Sequence, residues 1–281
     1  MTNLSSQTMP VRTSQSSVIL FLLLALSACG RKALDSTSVA IDVKLTDRQI
    51  SSLETKKIFF GHQSVGADIV QGIRDLMAED PRLKLNIVSS AAPESIQAPA
   101  FIESAIGENR NPQSKNEAFA AILAKGMGPQ GGVAMYKYCY VDIDLSTDVQ
   151  RLFDSYRDQI SALKSQYPGL TIVHITIPLT TVDMDMKAWA KTLLGRPTIR
   201  DVAEKRNEFN NLLRQTYAGR DPIFDLAEVE STLPDGARSY FIRGNRQIYT
   251  LAPDYTTDGG HLNGVGRHAA ATRLLQVLAD L

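Results

Sequence analysis

The sequence is paced by short runs of β-branched and aromatic residues, each followed by a segment whose apolar residues recur at helical spacing. The sharpest run is Leu-Thr-Ile-Val-His-Ile-Thr-Ile-Pro, residues 170–178. Successive strand side chains point to opposite faces, and apolar residues fall on both, so this strand belongs in a sheet covered on both sides. Similar runs occur at residues 57–60 (KIFF), 83–88 (LKLNIV), 131–143 (GGVAMYKYCYVDI) and 221–227 (DPIFDLA). Between them, residues 64–78, 114–125, 148–166, 201–217 and 265–281 read as helices. Strands alternating with helices predict an α/β chain: a three-layer α/β/α sandwich around a five-stranded parallel sheet. Two β-rich arms flanking Gly244-Asn245 add a hairpin near the C-terminus. Residues 89–111 read as a long surface loop with a helical turn, and residues 179–200, around Trp189, as an insertion.

The sheet leaves little room for other classes of function. The chain of 281 residues carries 30 Lys and Arg against 30 Asp and Glu, so it has no broad positive field to hold nucleic acid. Its N-terminus is more specific. Val18 to Leu26 is an apolar run of signal-peptide length, too short to cross a hydrocarbon core that takes about 20 residues. It ends in Leu26-Ser27-Ala28-Cys29-Gly30, which resembles the bacterial lipobox, whose cysteine becomes the lipidated first residue of the mature protein. That resemblance implies a membrane partner through a lipid on Cys29 and, with Gly30 rather than Asp after it, the periplasmic face of an outer membrane. Residues 1–28 are thus expected to be a lipoprotein signal peptide, residues 29–49 a polar tether, and residues 50–281 the domain. Cys139 is the one other cysteine, so no disulfide framework is available.

In a covered parallel sheet, ligands bind beyond the carboxyl ends of the strands. The first strand ends at Gly61, followed by His62-Gln63-Ser64 and a helix. Ser64 therefore has two readings: a helix N-cap, or a nucleophile at a strand end. A serine nucleophile needs a histidine base with an acid behind it. Of the four histidines, His174 reads as a strand histidine and His268 as a residue of the last helix. His261 stands in Thr-Thr-Asp-Gly-Gly-His-Leu-Asn-Gly, three residues after Asp258. Two intervening glycines let the Asp258 carboxylate fold back on one imidazole nitrogen and leave the other free. The competing reading is that Asp258 and Asn263 make only loop and cap bonds.

Gly-x-x-Ser at the first helix together with Asp-x-x-His-x-Asn before the last one resembles the SGNH/GDSL hydrolase superfamily over nearly the whole domain. The resemblance implies a flavodoxin-like sandwich in which Ser64 is the nucleophile, His261 the general base and Asp258 its orienting acid. It implies ester hydrolysis or acyl transfer without metal or diffusible cofactor, on an acyl ester such as an O-acetylated carbohydrate. Two departures stand out: the family's Gly-Asp-Ser is Gly61-His62-Gln63-Ser64 here, and the oxyanion-binding Asn after the third strand is missing, with Lys137, Cys139 and Asp142 in its neighbourhood. The oxyanion donors are therefore sought among the Ser64 or Val65 N–H, Gln63, His62, Lys137 and Asn263. Two other functions remain open: a polysaccharide O-acetyltransferase, or a non-catalytic binding or assembly lipoprotein on the same fold.

Overall fold

The computed structural model describes residues 44–97, 99–182 and 198–281. The signal segment, Cys29, the tether up to residue 43 and Trp189 lie outside the described residues. Within them, a six-stranded sheet runs in the order β2-β3-β1-β4-β5-β6. Its strands are β1 (Lys57–His62), β2 (Ile87–Ser89), β3 (Ala100–Ala105), β4 (Gly132–Tyr136), β5 (Leu170–Ile175) and β6 (Ile223–Phe224). Every pairing in it is parallel.

Helices α1 (Asp47–Glu54), α2 (Val65–Glu79), α6 (Leu226–Ser231) and α7 (Gly264–Ala279) cover one face. Helices α3 (Pro112–Ile122), α4 (Val149–Gln166) and α5 (Ile199–Tyr217) cover the other. Strand β1 shows why three layers form. Ile58 and Phe60 enter the first core and Phe59 the second, all three buried. Burying each of these side chains contributes about 2–3 kcal/mol, so the strand is pinned from both sides. That fixes its carboxyl end, where the chain turns into α2.

The sheet has six strands rather than the five expected. The additional strand is β3, which lies in the stretch read as a loop. Ala-Phe-Ile-Glu-Ser-Ala carries little β-propensity of its own, and Pro99 precedes it. Its strand character is supplied by its neighbours: it pairs with β1 on one side and β2 on the other, with Phe101 and Ile102 entering opposite cores. Helix α1 is a second element absent from the sequence reading. It has a readable signal, a capping box in which Thr46 accepts from the Gln49 N–H and the Gln49 side chain reaches back. Ile50 and Leu53 are buried, and the Ser52 hydroxyl donates to the Ala279 carbonyl at 2.8 Å. The expected hairpin forms from β7 (Tyr240–Arg243) and β8 (Arg246–Tyr249) as a separate antiparallel pair.

Candidate active site

The chain leaves β1 at His62 and enters α2 at Val65, so Ser64 occupies a two-residue strand-to-helix turn. Its backbone is unusual: φ is 55° and ψ −117°, a region that side chains avoid. Such a conformation costs on the order of 1–3 kcal/mol and persists only where the surroundings hold it. They do so here through the two residues before it. The Gln63 amide donates to the Ile106 carbonyl at 3.1 Å and also to that of Gly107. The His62 ring is bonded to Glu103 Oε2 at 3.0 Å and sits against the first turn of α2. A Cβ on Gly66 would stand 2.3 Å from the Cβ of His62, so only glycine fits that position.

Ser64 is the N-cap of α2 by position, yet its side chain makes no cap bond. Its hydroxyl instead meets His261 Nε2 at 2.7 Å. The other imidazole nitrogen, Nδ1, meets Asp258 Oδ2 at 2.7 Å. With a carboxylate accepting at Nδ1, the ring proton belongs there and Nε2 is left to accept from Ser64.

The acid is held by its own loop. Asp258 Oδ1 accepts from the backbone N–H of Gly260 at 2.9 Å and of His261 at 2.8 Å, an Asx turn that aims the second oxygen at the ring. These backbone bonds, followed by the ring bond, hold the Asp258 carboxyl well below the usual carboxylate range. The loop is tied down at both ends. Thr181 N–H donates to the Gly259 carbonyl at 2.9 Å, and Leu262 N–H donates to Asp68 Oδ2 at 3.1 Å. Thus the Asx turn and the histidine reading of this loop are compatible, since the same carboxylate does both.

The six other positions singled out in the sequence fall into three groups. Asn263 caps α7, its Oδ1 accepting from Val265 and Gly266 at 3.0 Å and its amide donating to the Asp254 carbonyl at 2.8 Å. Gln63 is committed to the two carbonyls after β3, and His62 is buried against Glu103 with its Nδ1 unpartnered among the described residues. Lys137 is 1% exposed, with Nζ turned to Cys139 Sγ and the Tyr138 carbonyl at 3.5 Å each. Burial lowers its pKa. Cys139 is a buried free thiol that donates to the Gln63 carbonyl at 3.6 Å. Asp142 pairs with the buried Lys115 and accepts from Cys139 N–H at 2.7 Å. Apart from Asn263 and the unpartnered His62 Nδ1, the polar groups of these side chains are bonded within the protein around the turn.

Two residues join the site that the sequence reading did not place there. The Tyr140 ring stands edge-on to His261 with centroids 6.0 Å apart, and a Cβ on Gly260 of the same loop would lie 2.9 Å from its hydroxyl. Burial, then the charge on Asp258, raises its pKa, so it stays a neutral phenol able to donate. The second is Gly107, just beyond β3, with φ 57°. A Cβ there would lie 2.6 Å from the Lys115 nitrogen, so glycine alone fits. Gly107 was hidden because its strand was.

A serine at the end of β1 and an Asp/His loop before the last helix thus sit on an α/β sandwich whose six-stranded sheet is parallel throughout. No family model matches the sequence, and no curated protein does. Several solved structures do resemble it. A Streptococcus pneumonia protein named for platelet activating factor shares 15% identity with TM-score 0.48, over 82% of this chain and 91% of its own. A GDSL-like lipase from Bacteroides thetaiotaomicron shares 12% identity with TM-score 0.45, over 79% and 87%. The periplasmic domain of a Salmonella Paratyphi A lipopolysaccharide acetyltransferase shares 14% identity with TM-score 0.40, over 80% and 86%. At such identities and scores none of these overlaps bears on chemistry.

Proposed function

We propose that this chain is an exported, lipid-anchored serine esterase or acyltransferase, cleaving an acyl ester through Ser64, His261 and Asp258. The observation that carries the reading is the pair of 2.7 Å contacts joining hydroxyl, imidazole and carboxylate in series at a strand end. Ser64 Oγ attacks the acyl carbon while His261 Nε2 takes its proton, and Asp258 stabilises the imidazolium that results. The carbonyl oxygen becomes an oxyanion that needs two or three fixed donors, each worth roughly 3 kcal/mol. The N–H groups of Ser64 and Val65 at the start of α2 suit this role, because helix N-termini leave N–H groups without intrahelical partners and carry a positive dipole end. The Gly107 N–H and the Tyr140 hydroxyl, beside the same turn, are the other groups we assign to it.

Collapse of the tetrahedral intermediate breaks the bond to the alcohol, which leaves with the proton from Nε2. The acyl group remains on Ser64. Water, or a second alcohol, then attacks it, giving its proton to His261, and Ser64 recovers a proton as the acyl group departs. Water makes the chain an esterase and a sugar hydroxyl makes it an acyltransferase. An O-acetylated carbohydrate of the cell envelope is the substrate class that the lipobox-like Leu26-Ser27-Ala28-Cys29 favours.

The test is turnover of p-nitrophenyl acetate by the purified domain. Ser64→Ala should abolish it, and unchanged turnover would overturn the reading. A sugar acceptor that accelerates release of the acyl group would assign transfer. For the anchor, Cys29→Ser should move the full chain from the membrane to the soluble fraction.

A further inference from the structure

Beside Asp258 and Gly259 the surface opens into a cleft of about 840 Å³, with β7 of the hairpin in its other wall. The hairpin is firmly seated. Arg243 bridges to Asp201 at 2.6 Å and to Glu204 at 3.0 Å, Arg246 also pairs with Glu204, and Asn207 exchanges bonds with the Tyr249 backbone at 2.9 Å in each direction. The cleft is therefore framed by α5 and an antiparallel ribbon clamped to it.

Three features give it a chemical preference. Tyr240 and Ile242, both in its wall, are 45% and 58% exposed, which is unusual for large apolar side chains side by side on one strand. Arg200, at the start of α5, spreads its guanidinium over the Phe241 ring at 5.1 Å. Arg200 Nε is shielded from solvent and has no hydrogen-bond partner among the described residues. A shielded guanidinium N–H without an acceptor is costly, and its natural complement is a carboxylate or phosphate oxygen. The other charged group of the cleft among the described residues, Asp258, already has its oxygens engaged by two backbone N–H groups and His261.

The direction of proton transfer says which half of a substrate reaches this cleft. The leaving alcohol must take its proton from His261 Nε2, and the loop that carries this histidine lines the cleft through Asp258 and Gly259. We infer that the cleft between Arg200 and the β7–β8 hairpin binds the alcohol half of the substrate, and that this half carries an anionic group on an apolar or ring-shaped body. The inference rests on the proposed Ser64 chemistry for its orientation, while the anion site stands on Arg200 and Phe241 alone.

Two measurements separate those parts. In the first, 4-acetoxybenzoate and its neutral analogue 4-acetoxybenzamide are compared as substrates. The carboxylate ester should be favoured in kcat/KM by tenfold or more, mainly through KM. Arg200→Gln should bring the ratio near one and Arg200→Lys should keep part of it. In the second, 4-hydroxybenzoate is titrated calorimetrically into the Ser64→Ala variant with and without Arg200→Gln, which needs no catalysis. Binding weakened tenfold or more by Arg200→Gln supports the anion site even if no ester is turned over, an outcome that would remove the esterase reading alone. A substrate ratio and a binding constant both indifferent to Arg200→Gln would overturn the inference.

Discussion

The molecule contains two hydroxyl–histidine–carboxylate sets, and they do different things. In one, His261 joins Ser64 to Asp258. In the other, His174 joins the Tyr156 hydroxyl at 2.7 Å to Asp221 at 3.3 Å. The bonded partners are of the same kind, yet the His261 side chain is 45% exposed and that of His174 is fully buried. His174 lies inside β5, stacked on Tyr217 at 3.6 Å and roofed by α4 and α5. Burial pushes its pKa down to about 4 despite Asp221, so it is neutral at pH 7. The comparison teaches that a hydrogen-bonded series of these groups is a packing device when closed off. It becomes a candidate for chemistry only at a strand end, with a strained turn presenting the hydroxyl.

The largest expected effect breaks the two sets apart. Ser64→Ala or His261→Ala should lower kcat for p-nitrophenyl acetate by at least about 10³-fold with an unchanged melting temperature. His174→Leu should leave kcat per folded molecule unchanged. Asp258→Asn should follow with a loss on the order of 10³-fold, because an amide cannot hold the ring in the tautomer that frees Nε2. Steady-state kinetics on the purified domain check both.

A smaller effect belongs to the buried set. His174→Leu strands the buried Tyr156 hydroxyl and leaves Asp221 with Lys164 alone, and should cost about 2–4 kcal/mol in a denaturant titration. Its pH dependence has a definite sign. The unfolded chain binds a proton at this histidine near pH 6.5 and the folded chain only near 4, so stability is whole above 6.5 and falls as pH drops toward 4. That contribution is on the order of 3 kcal/mol across the window; it is missing from His174→Leu and should therefore be what remains in the difference between wild type and that variant. The subtraction matters because Glu230, fully buried and pushed up to about 8, runs the other way, weakening the fold as pH rises from 4.5 to 8.

The smallest expected effect concerns the turn. Glycine adopts the Ser64 backbone conformation freely, whereas alanine does not. Ser64→Gly should therefore be more stable than Ser64→Ala by about 1 kcal/mol, with both inactive. Equal stability would show that the turn holds no strain.

How much of this was readable in advance varies with the range of the interactions. The strands at 57–60 and 170–178 declare themselves because each is apolar on both faces, and the turn at Gly244-Asn245 is a local signal. The loop from Asp258 to Asn263 was legible for the same reason, its bonds spanning three residues. Strand β3 was not, since its pairing partners lie some forty residues upstream in β1 and beyond a proline in β2. With it went Gly107, and the role of His62-Gln63 in place of one acid. Those two side chains reach across to β3 and its loop, which no spacing within the first block reveals. The contact of Tyr140 with His261 carries no sequence signal either, because it depends on how the chain leaves β4.

The most direct measurement is reaction of the folded domain with a fluorophosphonate, followed by intact mass and peptide mapping. One adduct per chain, on Ser64, lost in His261→Ala and absent from Tyr156 and every other hydroxyl, is the result this account predicts. A domain that stays unlabelled, or that is labelled elsewhere while Ser64 is untouched, would contradict it.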